Sequence, residues 1–277
     1  MNLIIQSQND IPVAYLDRLQ SLSLAASIDQ IGIHAYRLTD SKPHDGVAMF
    51  CYEHQLDYGF VRTGLHLSDF GLVVMDMDST LISIECIDEI ADMQGLKPMV
   101  SEITETAMRG EIDFEESLRR RVELLKGLEE GALQRVYDER LQLNPGAEIL
   151  LAELKNYGIK TLLVSGGFTF FTERLKMRLG LDFAHANLLE INDGKLTGLV
   201  LGDILDAQAK ANWLNVVRKE LNLHAEQVIA IGDGANDLKM MAQAGTSIAY
   251  HAKPIVRTQA SFALNFVGLN GLVNLFA

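Results

Sequence analysis

FGLVVMDMDST, residues 70–80, is a short apolar run rich in β-formers that ends on two aspartates two positions apart, Asp76 and Asp78. An apolar run without polar alternation marks a strand buried on both faces. Its carboxyl end is where open parallel sheets bind their ligands. Two further runs have the same form: IKTLLVS, residues 159–165, and QVIAIGD, residues 227–233. Each also ends on a polar residue, so one parallel sheet would bring Asp76, Ser165 and Asp233 near one another.

Amphipathic stretches fill the intervals. Residues 146–157, 169–179, 206–221 and 236–244 read as helices, and TSIAY (246–250) and SFALNF (261–266) as further strands. This alternation predicts an α/β fold with a Rossmann-like parallel sheet and helices on both faces. More than 80 residues separate the first two of these strands, far beyond an ordinary crossover. Most of them carry helical patterns, at 85–93, 98–108, 114–125 and 130–140, which predicts an inserted helical cap at 83–143. The core is then 70–82 with 144–277. Asn192-Asp193-Gly194 lies between β-compatible flanks and predicts a hairpin over 188–200. Residues 1–69 read as a small N-terminal α+β lobe of strand, helix and two strands, with no linker or repeat.

Composition narrows the function. Apolar residues make up 48% of the 277, which excludes global disorder. Twenty-four lysines and arginines against 37 acids give a net charge of −13. That balance argues against nucleic acid or an anionic membrane as the main partner. The first residues lack a secretory pattern, and only Cys51 and Cys86 are cysteines, so a cytoplasmic protein is expected. Four of the seven histidines, His34, His44, His54 and His66, fall in the N-terminal lobe, with Cys51 three residues before His54. The ligand pairs of a metal site are absent there, and the lobe reads as an aid to packing or to a homodimer contact.

The chemistry-bearing residues come in four groups. Asp76 and Asp78 at one strand end suit a nucleophile and a proton shuttle, because different surroundings can push two carboxyl pKa values apart. Asp233 and Asp237, in GDGANDLKM, bring more carboxylates, and such a cluster calls for a hard divalent cation, with Mg2+ the natural choice beside phosphate. SGGF, residues 165–168, offers a hydroxyl and glycine-flanked amides as an anion cradle. Lys210 sits where a helix start faces the same opening. Each has an ordinary reading alone: a turn or helix cap, a loop, a solvated lysine. Their joint order and spacing are poorly explained by coincidence.

On these residues, with DMDSTLISIECIDEIA, TAMRGEIDFEESLRRRVELLKGL, NLLEINDGKLTG and AGTSIAYHAKP, the sequence from about residue 72 onward resembles the haloacid dehalogenase-like phosphohydrolases. The cap string resembles the branch of that family that acts on phosphoserine. The resemblance implies that Asp76 becomes an aspartyl phosphate and that Asp78 protonates the leaving oxygen and then activates water. It implies Mg2+ held by Asp76, the Asp78 backbone carbonyl and Asp233, with Asp237 supporting a coordinated water. Ser165, Gly166 and Lys210 would hold the phosphate and Asn236 would help order the site. In the cap, Glu85 matches the position that meets the substrate amino group and Arg121 the one that meets its carboxylate, with Met108 and Phe114 as apolar contacts. Taken by themselves, Glu85 reads as a first-turn helix acid and at least two of Arg119, Arg120 and Arg121 as a solvated face. Met77 departs from the pattern, since many relatives carry phenylalanine there.

The implied partner is a small phosphomonoester, phosphoserine. Three other readings stay open at this point: a phosphotransferase or phosphatase for another small amino-alcohol phosphate, a phospho-receiver, and a non-catalytic amino-acid sensor. Asp78 and the enclosing cap tell against a receiver, because a proton shuttle shortens the life of a phospho-aspartate. The scheme requires the side chains at 76 and 233 to lie close enough to share one ion.

Overall fold

The structure, a computed structural model, describes the backbone of all 277 residues and every side chain except that of Met108. The first six elements are β1 (Asn2–Gln6), α1 (Val13–Ser23), β2 (Ile28–Gly32), β3 (Ala35–Leu38), α2 (Asp45–Glu53) and β4 (Asp57–Val61). They form a four-stranded sheet in the order β2-β3-β1-β4, with β1 antiparallel to both β3 and β4. This β-α-β-β-α-β arrangement is the split βαβ motif. It holds one helix and one strand more than the sequence suggested. Val47 and Cys51, one turn apart on α2, are fully buried with Leu3, Ile5, Leu19 and Leu38.

The larger sheet begins with β5 (Leu72–Met75), whose residues are 0–1% exposed, as a strand covered on both faces should be. After the turn at Met77–Leu81 come α3 (Cys86–Asp92), α4 (Lys97–Met108), α5 (Phe114–Glu123) and α6 (Gly131–Glu139). The start and end of this helical insertion lie side by side: Ser83 N–H donates to the Gln142 carbonyl at 2.9 Å, and Ile82 bridges Leu143. The chain continues with α7 (Ala147–Asn156), β6 (Lys160–Phe168), α8 (Thr169–Leu179), β7 (Phe183–Asn192), β8 (Lys195–Leu201), α9 (Ala207–Glu220), β9 (Val228–Gly232), α10 (Leu238–Met241), β10 (Thr246–Tyr250), α11 (Pro254–Arg257), β11 (Phe262–Leu264) and α12 (Gly271–Leu275).

The seven strands run β11-β10-β9-β5-β6-β7-β8. β9, β10 and β11 pair in parallel, as do β6 and β7, while β7 and β8 form the antiparallel hairpin. The sheet is therefore mixed rather than wholly parallel. Helix 236–244 is shorter than its pattern suggests: a tight turn at Ala235–Asp237 precedes the four-residue α10.

The chain divides into two compact units, one of 1–73, 144–160 and 223–277, the other of 74–143 and 161–222. Within the first, the buried Asp57 carboxylate accepts the N–H groups of Asn265, Phe266 and Val267 at 2.7, 2.9 and 2.9 Å. Gln6 donates to the Gly271 carbonyl and accepts from Asn274. Within the second, residues 127–130 lie along β8: Gly127 N–H donates to Leu196 at 2.7 Å, and Leu196 N–H donates to Leu128 at 2.8 Å.

Candidate active site

Asp76 follows directly on β5 and is 4% exposed. Its Oδ1 accepts the Met77 N–H at 2.8 Å and meets the Lys210 ammonium at 2.6 Å. Lys210 comes from the first turn of α9, which Asp206 caps by accepting the Ala209 N–H at 2.8 Å. At 1% exposure it is far from the solvated lysine of the ordinary reading. Two charges so deeply buried persist because each neutralises the other. A carboxylate held in this way has one oxygen oriented by donors.

Asp78 lies in the turn after β5 and is half-buried. The turn reverses sharply because Ser79 adopts φ +56°, a left-handed conformation few side chains take. Asp78 Oδ1 accepts the Cys86 N–H at 3.0 Å, and Oδ2 accepts the Ser165 hydroxyl at 3.3 Å. Burial pushes the Asp78 carboxyl above the usual carboxylate range. The Cys86 groups, the Lys210 charge and the Ser165 hydroxyl pull the other way. A carboxyl that keeps its proton longer than normal, beside one paired with an ammonium, is the unlike pair that acid–base chemistry requires.

Ser165, Gly166 and Gly167 lie near the end of β6, just before Phe168. Gly167 N–H donates to Ser165 Oγ at 2.8 Å. A Cβ at Gly167 would stand 2.8 Å from Asp78 Oδ2 and 3.0 Å from the Met77 methyl, so a side chain here would displace the Asp78 carboxyl group. A Cβ at Gly166 would stand 3.0 Å from the tip of the Phe114 ring, which puts the first residue of α5 against the glycine loop.

At the start of the helical insertion, Ser79 Oγ donates to Glu85 Oε1 at 2.8 Å, and Glu85 is exposed. Arg119 and Arg120 are exposed and pair one turn back with Glu115 and Glu116 at 2.8 and 2.7 Å. Arg121 is half-buried and donates from Nε to the Ser117 carbonyl at 3.3 Å. Burial lowers its pKa, opposed by the charges of Asp88, Glu85 and Asp78. The three arginines therefore divide into two that face solvent and one turned toward carboxylates. Met108 ends α4, and its side chain lies outside the described residues.

Asp233 follows β9, and its carbonyl accepts the Lys253 N–H at 3.1 Å. Asp237 is fully buried and accepts the Gly234 N–H at 3.1 Å. Gly232 leaves the room for Asp237, since a Cβ there would come within 2.5 Å of that carboxyl group. Asn236 sits exposed on the same turn. Asp76, Asp233 and Asp237 each offer a carboxylate oxygen. An all-oxygen donor set is the chemistry that suits a small hard cation such as Mg2+.

Sequence reasoning missed two contributors. Cys86 supplies the amide that holds Asp78, and Asn187, 2% exposed, donates to the Gly166 carbonyl at 2.8 Å. Neither carries a spacing signal that would single it out. Cys51 is wholly enclosed, with its thiol pushed up to about 12 mainly by burial.

A family model for haloacid dehalogenase-like hydrolases matches residues 70–245. A phosphoserine phosphatase of Polaromonas sp. (strain JS666) is 55% identical over 216 residues, 76% of this chain and 92% of that protein. Among solved structures, a HAD-family hydrolase from Salmonella enterica subsp. enterica serovar Typhi is 34% identical with a TM-score of 0.90, covering 99% of this chain and 97% of that one. A probable phosphoserine phosphatase from Vibrio cholerae, in unliganded form, is 40% identical with a TM-score of 0.88, covering 99% and 86%. The N-terminal lobe is included in both structural matches.

Proposed function

The chain belongs to the haloacid dehalogenase-like hydrolases, and from that premise we propose that it is a Mg2+-dependent phosphatase releasing serine and phosphate from phosphoserine, the last step of serine biosynthesis. The observation that carries this reading is the Asp76 carboxylate, held at 2.6 Å by the buried Lys210 ammonium with Asp78 two residues on. Relatives named phosphoserine phosphatases, similar over three quarters of the chain, support the substrate.

Asp76 attacks phosphorus, and the bond from phosphorus to the seryl oxygen breaks as Asp78 gives that oxygen its proton. Serine leaves, and Asp78, now ionised, takes a proton from water as the water oxygen attacks the aspartyl phosphate. The bond between phosphorus and Asp76 breaks, phosphate departs, and both carboxyl groups are as they began. Lys210 and the amides around Ser165 and Gly166 hold the phosphoryl oxygens where charge gathers. Asp76, the Asp78 carbonyl, Asp233 and Asp237 would hold Mg2+, which when bound supplies charge neutralisation for carboxylates and phosphoryl group alike.

Residues 83–143 act as the selecting cap over a core of 70–82 and 144–277. Glu85 takes the substrate ammonium, Arg121 its carboxylate, Met108 and Phe114 its apolar edge, and Asn236 helps order the phosphate side. Residues 1–69 serve packing or a homodimer contact in a cytoplasmic enzyme. The net charge of −13 supports a small ligand bound by local positive groups over nucleic acid or membrane.

The test is phosphate release from phosphoserine, phosphothreonine and phosphoethanolamine, with Mg2+ and with chelator. Phosphoserine should be fastest, and chelation should slow it by at least ~10²-fold. No release from phosphoserine, or release indifferent to chelator, contradicts the proposal.

A further inference from the structure

The end of β6 is irregular in a way that asks for an explanation. Val164 pairs with His185 and Phe168 pairs with Asn187, so β6 advances four residues while β7 advances two. The two surplus residues lie within Ser165, Gly166 and Gly167, the segment assigned above to the phosphate. A bulge leaves backbone groups without ladder partners, and a buried carbonyl so left is costly. The Gly166 carbonyl is met by the Asn187 side chain, whose Nδ2 donates to it at 2.8 Å.

The other half of the same amide is also used. Asn187 Oδ1 accepts the Leu205 N–H at 2.7 Å. Leu205 immediately precedes Asp206, which caps α9 and whose carbonyl accepts the Lys210 N–H at 3.0 Å. The Leu205 carbonyl lies 3.6 Å from where a Cβ at Gly166 would stand, so this loop rests on the glycine. One amide, buried to 2% exposure, thus ties the bulged glycine loop to the helix start that delivers Lys210 to Asp76.

We infer that Asn187 is a positioning residue, setting the Ser165–Gly167 cradle and the Lys210 ammonium at the separation a phosphoryl group needs. It touches neither substrate nor reacting atoms and acts through the two elements it joins. Only a side chain with a donor and an acceptor in one plane serves both partners. The inference deepens the phosphatase reading and rests on it for the identity of the anion.

The experiment uses the full chain with Mg2+, Asn187→Ala, and the near-isosteric Asn187→Asp, which keeps the acceptor for Leu205 and lacks the amide donor to Gly166. Both variants should lose about 10-fold to 10²-fold in kcat for phosphoserine. In a Ser165→Ala background, already without the cradle hydroxyl, adding Asn187→Ala should cost less than ~3-fold, because residues acting as a unit are not additive. Inorganic orthophosphate should raise the Tm of the wild type and raise that of both variants less. Multiplicative losses, an unchanged kcat in Asn187→Asp, or an undiminished orthophosphate shift would each overturn the positioning role. A wild type that binds orthophosphate but leaves phosphoserine intact would instead count against the substrate reading, and the orthophosphate comparison would still test Asn187.

Discussion

Asp76 and Arg121 show how burial and a neighbouring charge set familiar side chains apart from their solvated counterparts. Asp76 is paired with an ammonium 2.6 Å away, while burial raises the carboxyl pKa of Asp78, two residues later. Arg121 is the one member of a run of three arginines not spent on a glutamate one turn back. Arg121→Ala should therefore lower kcat/KM for phosphoserine by ~30-fold or more, about 2 kcal/mol, as expected for losing a charged partner from an enclosed pair. Phosphoethanolamine, which has no carboxylate, should change less than ~3-fold. Parallel kinetics on the two esters check this, and equal losses would remove Arg121 from substrate selection. At this scale the place of Asp76 and Asp78 was legible, since an apolar run that stops on two aspartates marks the end of a buried strand. Asn187 was not, because a lone asparagine midway along a strand has no spacing to betray it; its importance lies in partners 21 and 18 residues away.

Among the elements, the turns matter most. The turn at Met77–Leu81 depends on Ser79 at φ +56°, and the glycine loop passes close under Asp78. Gly167→Ala would force a methyl to 2.8 Å from Asp78 Oδ2. We expect a folded protein with kcat lower by about 10²-fold, since displacing a reacting group by an ångström has that order of cost. Circular dichroism beside steady-state kinetics checks it, and wild-type turnover would contradict the packing described. Apolar runs revealed β5, β6 and β9 because strands covered on both faces have little alternative. They did not reveal that β6 continues, bulged, to Phe168. Nor did they reveal α2, whose sequence DGVAMFCYE is rich in valine, phenylalanine, cysteine and tyrosine and so has weak helical preference. Tertiary burial of Val47 and Cys51, four apart, overrides that preference.

Over the whole molecule, long-range pairs join what the sequence divides. The N-terminal strands form a sheet of their own, as expected of a small α+β lobe, and Asp57 ties that lobe to backbone amides more than 200 residues on, so that contacts group residues 1–73 with the C-terminal strands. No local pattern reports such a partner. Among the described residues, no helix is long and apolar enough to cross a membrane. Both thiols lie in the interior, Cys51 at 0% and Cys86 at 1% exposure, and burial raises both pKa values. A thiol reagent should modify neither in the native protein at a rate within ~10²-fold of the unfolded chain, and should titrate two after denaturation. Rapid native modification would show that one of these cores opens readily.

The most direct test of the central claim is to quench the enzyme in acid during turnover of 32P-phosphoserine with Mg2+ and to map the label. The result expected is a hydroxylamine-labile phosphate on Asp76, absent from Asp76→Asn, which should also turn over at least ~10³-fold more slowly. Full activity in Asp76→Asn, or a label on another residue, would contradict it.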